Sequence, residues 1–171
     1  MGFSVTMSGI IVLAVFFIAT ASSIGLIIKA YTQSIRSMEE IFQQNLLRER
    51  SSMVIEEAYI NATENQLYLK LRNSGSLDVW NLKSIDFIIV YWDYSLGSLS
   101  SKILVYNLDW NVIGVILPNG TLIQFKGYIP PGQTALVEAS LPSGLDYTKD
   151  VRIDLANQYG YVASYEIAGG G

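Results

Sequence analysis

Hydrophobic residues form one unbroken run near the start of the chain and alternate with polar residues later. The run covers 3–28 and contains no charged residue. As a helix it is long enough to cross a bilayer core of roughly 30 Å, which needs about 20 apolar residues. A buried core helix of this length would be unusual in a chain of 171 residues, and a cleaved secretory signal would have a basic start and a shorter apolar run. The pattern therefore predicts an uncleaved transmembrane signal anchor over 1–28.

A helical pattern continues beyond the anchor and predicts a stalk over 29–53. The apolar positions of its main face are Tyr31, Ile35, Met38 and Phe42. Their spacing is that of one side of a helix. Two interpretations stay open: an amphipathic stalk that packs against its own domain or the membrane surface, or a short parallel coiled coil in a dimer, with Asn45 at a core position.

After Arg50 the apolar positions recur with a period of two, which is typical of half-buried strands. Turn residues separate such segments at intervals of about 8–15 residues, as in β-sandwiches. We therefore expect an all-β immunoglobulin-like antiparallel β-sandwich over 54–168, with about eight or nine short strands, after the long N-terminal transmembrane α-helix. A closed barrel is a less favoured alternative because the strand lengths look unequal. The final glycines, 169–171, are expected to form a flexible tail.

Three local features refine this picture. Trp80–Trp92 is predicted to contain one strand, the sequence LGSLSS at 96–101 to interrupt the chain, and Pro118-Asn119-Gly120 to form a tight hairpin turn. A further short strand is predicted over 121–125.

Two of the predicted strands are apolar on both faces, namely 87–91 (FIIVY) and 112–117 (VIGVIL). One core of a two-layer sandwich cannot receive both alternate sets of side chains. Either the stalk or a long loop covers the outward set, or that set forms a protein–protein face, because large exposed apolar patches mark interaction sites. The residues assigned to such a face are Ile88, Val90, Ile113 and Val115.

Composition narrows the classes of function. A net charge of −4 speaks against a nucleic-acid surface. The sequence has no cysteine and no histidine, which removes disulfides, thiolate chemistry and the commonest general base and metal ligand. The aspartates are scattered without calcium-loop spacing, so we interpret them as caps of turns and strand ends. We expect no enzyme, no metal and no cofactor, although a membrane-held hydrolase with two converging carboxylates remains an alternative.

Two patterns bear on the orientation of the chain in a membrane. Asn61 and Asn119 each begin an Asn-x-Thr triplet at a predicted turn, and N-glycosylation of either would put the domain outside the cell. Lys29 and Arg36 follow the span and favour a cytoplasmic domain under the positive-inside rule. Charge alone therefore does not decide the orientation.

Three short motifs resemble the archaellum (archaeal flagellum) stator proteins of the FlaF/FlaG family. They are the start MGFSVT before an uncharged span, Asn73-Ser74-Gly75-Ser76 after an early strand, and Pro131-Gly132-Gln133 before a late strand. The MGFSV start is closer to FlaF than to FlaG.

The resemblance implies a non-enzymatic, membrane-anchored stator component of the archaellum motor. Its β-sandwich would lie in the extracytoplasmic (pseudoperiplasmic) space, against the charge of Lys29 and Arg36, and would bind the surface-layer protein to anchor the motor in the cell envelope. The implied partners are that protein, a FlaG-like sister stator protein, a second copy in a homodimer, and the lipid bilayer. No binding residue of the family maps onto a position here.

A pilin-like structural subunit of an archaeal surface filament is the alternative function. Its apolar helix would pack into a filament core, and its leader would be removed. No basic residue precedes Gly2, so we expect no processing there. The N-terminal mass of the native protein separates the two functions.

Overall fold

The computed structural model describes residues 2–117 and 119–170. Within them the elements are α1 (Gly2–Arg50), β1 (Met53–Asn61), β2 (Gln66–Asn73), β3 (Val79–Trp80), a 3-10 helix (Leu82–Ser84), β4 (Asp86–Asp93), β5 (Ser98–Leu104), β6 (Trp110–Ile116), β7 (Leu122–Ile123), β8 (Tyr128–Ile129), β9 (Thr134–Ser140), β10 (Val151–Ala156) and β11 (Val162–Ile167). The chain divides into two compact units, Met1–Asn45 and Leu46–Gly171.

The described part of the N-terminal unit is helical and belongs to α1, whose last residues, 46–50, belong to the second unit. In the described part of the chain, one helix is long enough and apolar enough to cross a membrane. This helix is α1, and the mean hydropathy of its most apolar window is 2.6. Thr20 and Ser23 donate their hydroxyl protons to the carbonyl oxygens of Phe16 (3.0 Å) and Ala19 (2.8 Å), one turn earlier. Such bonds satisfy polar side chains where no water is present. By length and composition α1 therefore suits a single-pass membrane anchor.

The second unit contains two antiparallel sheets. Within the described residues their strand orders are β1-β2-β9-β6-β7 and β11-β10-β4-β5, and β3 pairs separately with β8. If the eight longer strands are lettered A, B, C, C′, D, E, F and G in chain order, the two sheets have the orders A-B-E-D and G-F-C-C′. This is the arrangement of an immunoglobulin-like sandwich, so the predicted fold class is confirmed.

The core lies between the two sheets and receives alternate side chains from both. Its least exposed large side chains include Leu67, Leu69, Leu71, Phe87, Ile89, Trp110, Ile153 and Leu155. The Trp110 ring meets Phe87 and Tyr106 edge to face, with centroids 5.5 Å and 4.8 Å apart. Aromatic pairs in this geometry add about 0.5–1.5 kcal/mol beyond the area that they bury.

Backbone hydrogen bonds connect the end of α1 to the loop after β2. Arg50 O accepts hydrogen bonds from Ser76 N (2.8 Å) and Leu77 N (3.0 Å). Two residues later, Ser52 O accepts from Ser74 N (3.1 Å) and Gly75 N (3.0 Å). Carbonyls in the last turn of a helix have no hydrogen-bond donor within the helix, and this loop supplies donors for the carbonyl of Arg50. We call 73–77 the joint loop.

Asn73 holds the joint loop from inside the domain. It is fully buried, at 0% exposure. Its Nδ2 donates to Leu77 O and Ile129 O, both at 2.8 Å, and its Oδ1 accepts from Gly75 N at 3.0 Å. A buried amide with its donors and acceptor satisfied fixes one loop conformation, since any other arrangement would leave these groups unpaired.

Some local predictions were wrong. The segment 96–101 is mostly strand, because β5 already begins at Ser98. The turn before it is short: Gly97 adopts φ 61°, and Asp93 Oδ1 accepts from Ser95 N and Leu96 N at 2.8 and 3.1 Å.

One predicted strand is shorter than expected, because 121–125 forms a strand only at Leu122–Ile123. The strand predicted within Trp80–Trp92 is confirmed as β4 (Asp86–Asp93). The 3-10 helix precedes it, with Asn81 in a left-handed conformation before that helix. Of the predicted hairpin turn at 118–120, Pro118 lies outside the described residues.

Candidate interaction surface

The outer face of the first sheet carries two ion pairs between β1 and β2. Lys70 Nζ lies 2.6 Å from Glu57 Oε2, and Arg72 Nη1 lies 3.4 Å from Glu56 Oε1. The hydrogen bond that Lys70 donates to Glu57 raises the pKa of Lys70. Exposed ion pairs of this kind add little stability, but they are typical of a surface that is exposed to solvent.

The outer face of the second sheet is apolar along β4 and β5. Ile88 lies opposite Ile103 and Trp92 opposite Leu99 in the strand register. Leu99, Ile103 and Trp92 are 67%, 61% and 37% exposed, while Ile88 and Val90 are half-buried. We call these five residues the β4–β5 face. Scattered apolar side chains are normal on a surface, but a contiguous patch indicates an interaction site.

The turn between β4 and β5 extends this apolar surface. Tyr94 and Leu96 are 78% and 71% exposed. The turn is also bonded to the loop before β10, since Tyr94 N donates to Gly144 O at 2.8 Å and Asp146 N donates to Trp92 O at 3.0 Å. The apolar side chains are therefore presented from a hydrogen-bonded turn.

Polar residues border the β4–β5 face on the side of β10. Arg152 lies opposite Val90 and Asp154 opposite Ile88. Arg152 Nε donates to Asp154 Oδ1 at 3.0 Å, and Ser164 Oγ donates to the same oxygen at 2.6 Å. An apolar centre with a polar border is the usual composition of a protein–protein interface.

Strand β5 is also the edge of its sheet. Within the described residues it pairs with β4 alone. Natural proteins often protect such edges with charges or prolines, yet Lys102 lies opposite the buried Ile89 and its Nζ is 3.1 Å from Asp109 Oδ1. The Val105 N–H and then Lys102 lower the pKa of Asp109. The lysine charge is thus engaged within the chain, and the edge is open to strand addition.

The structure separates the four predicted interface residues into two pairs on different sheets. Ile88 and Val90 belong to the β4–β5 face. Ile113 and Val115 lie on β6, where Ile113 is 42% exposed and Val115 is 2% exposed. A bulge between Val112 and Gly114 inserts Ile113 as an extra residue, so the expected alternation fails. Their part in association stays a prediction.

Sequence reasoning missed Trp92, Leu99 and Ile103 as members of the surface. The spacing of Leu99 and Ile103 would have placed both on one face if Ser98–Leu104 had been assigned to a strand. The serines around Leu99 concealed that strand.

The predicted aspartate caps are confirmed at several positions. Asp93 and Asp109 accept backbone N–H groups, as described above, and Asp146 Oδ1 accepts from Thr148 N at 3.0 Å and from its hydroxyl at 2.7 Å. These bonds to Thr148 lower the pKa of Asp146. Among the described residues no group of three or more His, Cys, Asp or Glu could hold a metal ion.

A groove of about 360 Å³ lies beside β1 and the end of β11. Its described lining includes Ala58, Ile60, Tyr147, Lys149 and Ile167. Lys149 is the one charged residue in that described lining, which contains no carboxylate pair of the kind that glycoside hydrolysis uses.

The sandwich is similar in fold to solved archaellum stator proteins. The archaellum periplasmic stator protein complex FlaF and FlaG from Sulfolobus acidocaldarius matches at a TM-score of 0.50 and 19% identity, over 67% of this chain and 87% of that chain. The archaellum periplasmic stator protein FlaG from the same organism matches at a TM-score of 0.49 and 19% identity, over 68% and 98%. At this identity the likeness to the complex shows a shared fold. No family model and no curated protein matches the chain.

Proposed function

We propose that the chain is a non-enzymatic, membrane-anchored stator component of an archaellum motor, of the FlaF/FlaG type. Residues 1–28 anchor it in the lipid bilayer. The sandwich lies in the extracytoplasmic space, binds the surface-layer protein and anchors the motor to the cell envelope. A stator requires a fixed membrane end and a binding domain, and it requires no catalysis.

The observation that supports this proposal best is that helix α1, whose residues 3–28 form an uncharged run of membrane length, precedes an immunoglobulin-like sandwich with an apolar outer face. The motifs at the start, at 73–76 and at 131–133 add sequence support. Within the type, the MGFSV start favours the FlaF member.

The segment at the end of α1 is hydrogen-bonded to both sheets, which suits a part that transmits force. The joint loop bonds Arg50 O and Ser52 O to the end of β2, in the first sheet. Asn157, directly after β10, donates from Nδ2 to Ser51 O at 2.8 Å and so connects the same segment to the second sheet. Force along the chain is therefore shared by both sheets.

We assign self-association and pairing with a FlaG-like sister protein to the β4–β5 face. If β5 pairs antiparallel with β5 of a second copy around Ser101, Leu99 of each copy lies opposite Ile103 of the other. This is the self-complementary geometry of a two-fold dimer. The apolar side chains are then removed from water, which stabilises the dimer by about 25 cal/mol per Å² of apolar surface buried.

Ile103→Lys tests this assignment. Burial of Ile103 in such a dimer would contribute about 1.5–3 kcal/mol, so the change should raise the dimer Kd by about tenfold or more. Asn111→Lys, an exposed position on the outer face of the first sheet, is the matched charge control. Sedimentation of the detergent-solubilised chain measures both, and an unchanged mass distribution for Ile103→Lys would remove the assignment.

Deletion of the gene in the native host, followed by expression of the full-length protein in the deletion strain, tests the proposed function. We expect deletion to abolish swimming, and full-length protein to restore it and to co-purify the surface-layer protein from solubilised envelopes. Normal swimming after deletion, or recovery of the chain as a filament subunit with a trimmed N-terminus, would contradict the proposal.

A further inference from the structure

We propose that Asn119 is an N-glycosylation site of this protein and that Asn61 is not, although both begin an Asn-x-Thr triplet. The inference rests on the extracytoplasmic domain of the proposed function, because N-glycans are added outside the cytoplasm. The two triplets differ in backbone setting, exposure and the contacts of the amide nitrogen that would be modified.

Asn119 lies in an exposed turn outside any strand. The turn is closed by Gly120 N donating to Leu117 O at 2.8 Å and by Leu117 N donating to Thr121 O at 2.9 Å. Asn119 Oδ1 accepts from Thr121 N at 3.1 Å. This bond uses the amide oxygen, and Nδ2 of this exposed residue makes no hydrogen bond to the described residues. Thr121, whose hydroxyl completes the acceptor triplet, is exposed as well.

Asn61 is held by its own turn. It is half-buried and is the last residue of β1, where it pairs with Gln66. Its Nδ2 donates to Glu64 Oε2 at 2.7 Å, and its Oδ1 accepts from Thr63 N at 3.2 Å and Glu64 N at 3.3 Å. The nitrogen that would be modified is thus bonded to a carboxylate, whose charge also repels a phosphate-linked sugar donor.

The ligand of this site is a lipid-linked oligosaccharide, which a membrane transferase would bring to Asn119. Nδ2 attacks the anomeric carbon, the bond from that carbon to the lipid phosphate oxygen breaks, and the lipid phosphate leaves with the bonding electrons. Nδ2 loses one proton to a base of the transferase, so the product is a neutral glycosylated amide.

Intact-mass and peptide mass spectrometry of the full chain, purified from the native host, test the inference. Asn119→Gln and Thr121→Ala each remove the triplet at the turn, Thr121→Ser preserves it as the matched control, and Asn61→Gln removes the other triplet. We expect an added sugar mass on the natural chain, on Thr121→Ser and on Asn61→Gln, and its loss in Asn119→Gln and Thr121→Ala.

Two results would overturn the inference: a natural chain without added mass, and an added mass that persists in Asn119→Gln. Labelling of an introduced surface cysteine in the same cells separates this from failure of the proposed function. An unmodified chain that is labelled from outside refutes only the glycosylation, whereas an unmodified chain that is protected inside refutes both.

Discussion

Gly75 is the residue at which a single methyl group should do the most damage to the joint loop. A Cβ at this position would overlap Arg50 O and lie 2.8 Å from both Arg50 C and Ser52 N. All three are backbone atoms, so no side-chain rotation can relieve the contact. Gly75→Ala must therefore move the loop away from the end of α1.

The size of the effect follows from the hydrogen bonds that this movement breaks. The joint loop donates four backbone hydrogen bonds, two to Arg50 O and two to Ser52 O. Each contributes about 0.5–1.5 kcal/mol net, and alanine restricts the unfolded chain enough to return about 0.4–1 kcal/mol. Four such bonds amount to about 2–6 kcal/mol, so we expect the free energy of unfolding to fall by roughly 1–5 kcal/mol, which is a large part of the 5–15 kcal/mol typical of a domain.

Urea unfolding of the full chain in detergent micelles, followed by tryptophan fluorescence, measures this change. Gly170→Ala is the matched control, because a Cβ there has open space. The control should change the unfolding free energy by less than about 0.5 kcal/mol. Equal unfolding free energies for Gly75→Ala and Gly170→Ala would refute the role of the joint loop.

Other parts of the domain give three further predictions. Asn73→Ala leaves the buried carbonyl of Ile129 and the part-buried carbonyl of Leu77 without their donor and should cost about 2–4 kcal/mol in urea unfolding; a neutral result would contradict the burial argument. Asp109 has a lowered pKa in the folded chain. Its contribution to the free energy of unfolding is therefore present above its ordinary pKa and is lost as the pH falls through the folded pKa. Asp109→Asn should therefore be less stable than the natural chain at neutral pH, with the gap closing below about pH 4; a gap that widens in acid would reverse the sign of this reasoning. Trp110→Ala should cost about 3–5 kcal/mol by thermal unfolding. Trp110→Phe should cost less, because it retains a ring and removes an Nε1–H that has no partner among the described residues; equal losses would contradict this.

The strongest patterns of the sequence predicted the architecture. An uncharged run of membrane length has few structural solutions, and strands such as Gln66–Asn73 alternate cleanly because one face is buried and the other meets water. The strand orders themselves could not be predicted, since pairing between distant strands leaves little trace in local periodicity.

The candidate surface was predicted only in part, for two physical reasons. β5 contains three serines and one lysine, so its apolar outer positions, Leu99 and Ile103, become visible only once it pairs with β4. In β6 a bulge changes the alternation after Val112, and Val115 is turned into the domain. The joint loop could be predicted as a bend, but its bonds to Arg50 depend on tertiary structure.

The central claim is that the sandwich lies outside the cytoplasm at the end of a membrane anchor, against the charge of Lys29 and Arg36. The chain has no natural cysteine, so Ser143→Cys, in an exposed position of the loop after β9, gives one thiol in the domain. A membrane-impermeant maleimide should label it in intact cells of the native host to the same extent as in lysed cells. Labelling only after lysis would contradict the stator proposal.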